Sequence, residues 1–153
     1  GGRLWSPPRK CSIRRLRRIK LVNAVLVQHF FYFVKTNMLT TKELHNLVMN
    51  VVGKQLEAEG FEFLAVNSQL KKDPQFVCTK NKQLHFIVVK AVVYPNNPKE
   101  FDATLMQTVK KHAETFEALT YFAGVGFAHA ESYDLPLTKN APYAVNYDGL
   151  QKI

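Results

Sequence analysis

A chain of 153 residues with 46% hydrophobic content fits one globular domain and excludes a collagen-like or wholly disordered protein. Its formal net charge of +9 would suggest a nucleic-acid or anionic-membrane partner. That charge is confined: residues 1–37 carry nine Lys or Arg and no acid, leaving twelve of the 21 cations to balance all 12 carboxylates from Met38 onward. The body is formally neutral, so its pI gives no argument for nucleic acid.

Arg14–Lys20 followed by Leu21–Val34 has the charged-then-apolar layout of a signal peptide, but Asn23, Gln28 and His29 interrupt it and no small-x-small cleavage site follows. The apolar stretch is also shorter than the roughly 20 residues a bilayer needs, so no membrane span is expected. The Arg-rich, acid-free composition suits an organelle transit peptide, although Trp5, Pro7 and Pro8 fit it poorly. The first methionine, Met38, stands just before a helix cap. The expected reading is a disordered or upstream-translated leader, 1–37, and one α/β domain, 38–153.

In chain order, Thr40 and Glu43 have the spacing of a capping box. Leu44, Leu47, Val48, Val51 and Leu56 then recur at helical spacing, predicting an amphipathic helix over 41–59 that Gly60 stops. Residues 61–66 read as a strand, and Lys71-Lys72-Asp73-Pro74 as a loop. Gln75–Thr79 and Leu84–Tyr94 form a predicted hairpin around residues 80–83. The second run is almost continuously apolar, as expected of a central strand buried on both faces.

Asn97-Pro98-Lys99-Glu100 carries the marks of a second helix start, and Phe101, Leu105, Val109, Ala113 and Phe116 predict its buried face to about Glu117. Residues 120–128 read as a strand, with Gly124 and Gly126 on one face letting a helix approach. Tyr143–Tyr147 suggests a short edge strand. The order is α-β-β-β-α-β, an α/β (α+β) fold with a mixed sheet flanked by helices.

Chemistry is mostly excluded. Cys78 is the body's one cysteine, too few for an internal disulfide, a cysteine zinc site or an iron–sulfur cluster. With Cys11 it suits a reducing, cytoplasmic setting. His45, His85, His112 and His129 show no metal-site spacing, so no metal is expected. His129 and Glu131 form one pair past a strand end, where a solvated terminus explains them. Gly124-Val125-Gly126 is half of a dinucleotide fingerprint with no helix after it, so no cofactor is expected.

The element order, with Gly60 opening the first strand and Phe86-Ile87-Val88-Val89-Lys90 at the centre, resembles the PD-(D/E)XK nuclease-like core, most closely its endonuclease-like and Holliday-junction-resolvase-like members. That resemblance implies two carboxylates holding Mg²⁺ beside a lysine that helps prepare a water for attack on phosphate. The lysine falls on Lys90, the glutamate position holds Val88, and the first aspartate position falls near Gln75. Valine cannot bind a hard cation, so the resemblance implies a degenerate site unless Asp73 and Glu62 supply the carboxylates. Lys71, Lys72, Lys80 and Lys82 are candidate binding cations for a nucleic-acid or protein partner. The body is also similar to short bacterial proteins, mostly from Bacteroidetes, that are named after the flavin-bearing and iron–sulfur-bearing component of the Na⁺-translocating NADH-quinone reductase. The membrane anchor, [2Fe–2S] cluster and flavin that name implies have no matching residues here. The expected function is a non-catalytic binding or accessory module, with a metal-dependent nuclease as the alternative.

Overall fold

The computed structural model describes residues 28, 29 and 37–153. The leader expectation for residues 1–37 therefore lies outside the described residues at all but three positions. One of those, Asn37, is bonded to the body: its carbonyl accepts from the Lys139 amide at 2.6 Å. Met38 bridges Thr138, and the Leu39 amide donates to Leu137. The strap before Thr41 is thus tied to the 137–139 loop.

Helix α1 spans Thr41–Ala58. Its capping box is complete: Thr40 Oγ1 accepts from the Glu43 amide and Glu43 Oε2 from the Thr40 amide. The Thr40 amide and Lys139, which pairs with Glu43 at 3.2 Å, hold the Glu43 carboxyl below its ordinary value. At the far end Gly60 takes φ +86, a left-handed conformation that costs glycine little. The Gly60 amide reaches the Glu57 carbonyl and the Phe61 amide reaches Leu56, the paired bonds of a Schellman stop.

Strand β1 is Glu62–Val66, β2 Phe76–Lys80 and β3 Gln83–Val93. The β2–β3 turn is tighter than the sequence suggests. Only Asn81 and Lys82 lie outside the ladder, both at positive φ, as a twist-matched two-residue hairpin requires.

Helix α2 is Ala103–Glu114, five residues later than the Asn97 signature implies. Asp102 is the true cap, its Oδ1 accepting from the amides of Thr104 and Leu105. Asn97 instead closes a local turn by accepting from the Lys99 amide. Met106, Val109 and Ala113 are the buried face of α2. Leu105 and Phe116 are exposed, Phe116 because it lies beyond the cap at Thr115.

Strand β4 is Leu119–His129, β5 Tyr143–Asn146, and β6 Gln151–Lys152 is too short to leave a sequence pattern. The six strands form one mixed sheet ordered β1-β2-β3-β4-β5, with β6 also on β4. Only β3 and β4 are parallel, joined through α2.

Side-chain alternation along β3 divides the core into two layers. Ile87 and Val89 face α1, with Val48, Val52, Leu56 and Phe127. Val88 faces α2, with Met106, Val109 and Phe122. Five consecutive residues, His85 to Val89, are buried, as expected of a central strand. Cys78 lies in the α1 layer, where burial pushes its thiol up to about 11. Close approach at Gly124 involves a loop rather than a helix: a Cβ there would lie 1.7 Å from the Pro98 carbonyl oxygen.

Candidate functional site

The site begins with a mismatch in strand length. β2 starts at Phe76, opposite Ile87, whereas β3 continues to Val93. Beyond Ile87 the central strand has no β2 residue beside it. Gln75 takes over that edge. Its amide donates to the Ile87 carbonyl, and its side-chain Oε1 accepts from the Val89 amide at 2.7 Å. The Nε2 of Gln75 donates to Asp73 Oδ1, also at 2.7 Å. Gln75 is 2% exposed, so these bonds are shielded from water.

Past this plug lies a cavity of about 270 Å³. β3 contributes Val88, Val89, Lys90 and Ala91. The first turns of both helices face it, α1 through Thr41, Leu44 and His45 and α2 through Leu105 and Met106 beside the cap Asp102. The loop before β2 closes it with Leu70, Lys71 and Asp73. The walls are mainly apolar, with Lys90 exposed at the rim.

Several expected residues thus meet. Lys90, Asp73 and Gln75 line one cavity, together with Lys71. Glu62 does not join them. It pairs with Thr79, which faces Leu84 on β3, about 20 Å along the strand from Lys90. The four candidate lysines are also divided. Lys71 and Lys72 precede β2, while Lys80 and Lys82 lie at its far end, on the order of 15 Å away. Lys80 Nζ instead stands 5.0 Å from the centre of the Phe61 ring. At the glutamate position of the nuclease-like pattern, Val88 is packed in the α2 layer. Among the described residues, no three His, Cys, Asp or Glu side chains are placed to hold a metal ion.

His45 is the site residue that motif reasoning passed over. It is 6% exposed, lines the cavity, and its Nε2 has no hydrogen-bond partner among the described residues. Its signal was periodicity: position 45 lies on the buried stripe of Val48, Val52 and Leu56, a polar residue on an apolar face. Burial lowers its proton affinity, with the Asp73 carboxylate opposing. His85, beside the Phe61 and Tyr121 rings, is also lowered chiefly by burial and has an unpartnered Nδ1. His129 is locally engaged, its Nδ1 accepting from the Glu131 amide.

The two buried histidines set a pH dependence. Each binds a proton less readily folded than unfolded, so their contribution is complete above the ordinary value of 6.5 and is lost as pH falls below it. Glu43 adds a separate acid loss below its ordinary 4.5. The urea midpoint should be lower at pH 5.5 than at 7.5, and His45→Gln should flatten that difference; an unchanged slope would remove His45 from the explanation.

No described helix is long and apolar enough to cross a membrane. No curated protein matches the chain. The family model described as a domain of unknown function, DUF8840, matches residues 42–153, which include every cavity residue except Thr41, and the chain belongs to that family.

Proposed function

We propose that the domain is a non-catalytic binding module whose ligand site is the cavity at the end of β2. The packing of Val88 carries this reading. A metal-dependent phosphodiesterase on this framework needs carboxylates beside Lys90. The side chain two residues before Lys90 is instead part of the hydrophobic layer with Met106, Val109 and Phe122. Asp73 is bonded to Gln75, and Asp102 caps α2. Among the described residues, the two candidate lysine pairs lie apart rather than along one track, which favours a small ligand over a nucleic-acid backbone.

Incubation of the full chain with single- and double-stranded DNA in Mg²⁺ or Mn²⁺ is expected to give no cleavage. Cleavage that disappears in Lys90→Ala and Asp73→Ala would overturn the reading. Independently, a small apolar fragment should shift the amide NMR signals of Leu44, Val89 and Ala91, as occupation of the cavity requires.

A further inference from the structure

The binding-module reading leaves the ligand's chemistry open, and the polar groups of the cavity narrow it. Both carboxylates already have donors within the protein. Asp73 Oδ1 accepts from Gln75, and Asp102 Oδ1 accepts from two amides. The cations are placed differently: among the described residues, neither Lys90 nor Lys71 has a carboxylate within ion-pair distance.

We propose that this cavity takes a small organic anion, with an apolar body among Leu44, Leu105 and Met106 and its acidic group directed to Lys90. The inference rests on the binding-module reading and adds the ligand class. Three further features support it. A cavity of about 270 Å³ lies at the small end for ligand sites, suiting a short-chain or single-ring acid rather than a dinucleotide. Its apolar walls favour a hydrocarbon body over a bare inorganic ion. The first turns of α1 and α2 both face the cavity, adding their positive dipole ends to the field of Lys90. Asp73 and Asp102 oppose that field. Their charges are partly offset, by the Gln75 amide for one and by the α2 terminus it caps for the other.

The test uses the full chain with hexanoate, hexanol, benzoate, benzyl alcohol and inorganic phosphate, followed by NMR at the amides of Leu44, Val89, Lys90 and Ala91. The two carboxylates should shift these signals saturably, and the matched alcohols should bind on the order of tenfold more weakly. Phosphate should leave them unmoved. Lys90→Gln should bring hexanoate to the affinity of hexanol. Met106→Trp, verified as folded by its amide dispersion, should abolish both by filling the cavity. Equal binding of alcohol and acid, or undiminished acid binding by Lys90→Gln, would overturn the anion proposal while leaving the binding-module reading intact. If neither acid nor alcohol moved these amides, both would fall.

Discussion

Gly124→Ala is expected to lower the stability of the domain by about 3 kcal/mol or more, beyond the usual range for a single added methyl. The new Cβ would lie 1.7 Å from the Pro98 carbonyl oxygen and 2.8 Å from the Phe122 ring. The first contact is with backbone, so no rotamer change relieves it. The 97–100 turn would have to leave β4, breaking the Lys99–Asp148 pair, 2.7 Å in length. The thermal midpoint should fall by roughly 10 °C or more. Gly53→Ala is the control of opposite sign. It lies inside α1, where a Cβ would meet only the Phe76 ring, at 3.6 Å. Replacing glycine by alanine within a helix is worth up to about 1 kcal/mol, so this variant should melt higher. Equal melting of both variants would refute the close-approach account.

Gln75→Leu should be comparably damaging, at about 2–4 kcal/mol, because it strands a buried central-strand amide and leaves Asp73 without its donor. Denaturant titration measures the loss, and hydrogen exchange at the Val89 amide locates it. Gln75→Glu separates the two bonds. It retains an acceptor for Val89 but places a second carboxylate within 2.7 Å of Asp73, so one of the pair must take up a proton to fold. The folded state would then bind more protons than the unfolded state. This variant should be weak at pH 7 and regain stability as pH falls through the carboxylate range, opposite to the parent's histidine-driven trend. If Gln75→Leu lost less than about 1 kcal/mol, the side chain could not be the plug that the geometry makes it.

These residues show how far a sequence can be read. Apolar periodicity located both helices and the central strand because it depends only on local geometry. The capping box at Thr40 and the stop at Gly60 were legible for the same reason. The α2 boundary was not. Asn97-Pro98 has every local mark of a helix start, but the Pro98 carbonyl is held against Gly124, and the helix waits for Asp102. The cavity was only half legible. Lys90, Asp73 and Gln75 could be named, yet their meeting depends on β2 ending before β3, a long-range fact. Leu44, Leu105 and Met106 looked like core residues because their role depends on which neighbour is absent. The hairpin lysines lie at opposite ends of β2, because nearness in sequence does not survive a strand.

The mixed sheet also divides the fold by the distance over which its contacts must be found. The β2–β3 ladder closes through a two-residue turn, so its entropic cost of closure is small. The parallel β3–β4 ladder, nine register pairs long, joins residues 34 positions apart, His85 with Leu119 through Val93 with Phe127, and encloses α2 within the loop. Chain search is therefore slow for the contacts that bury the most central strand and quick for the hairpin beside it. Gly124 belongs to the slow half, Gln75 joins the hairpin to the strand it extends, and the cavity is complete only when both halves have closed.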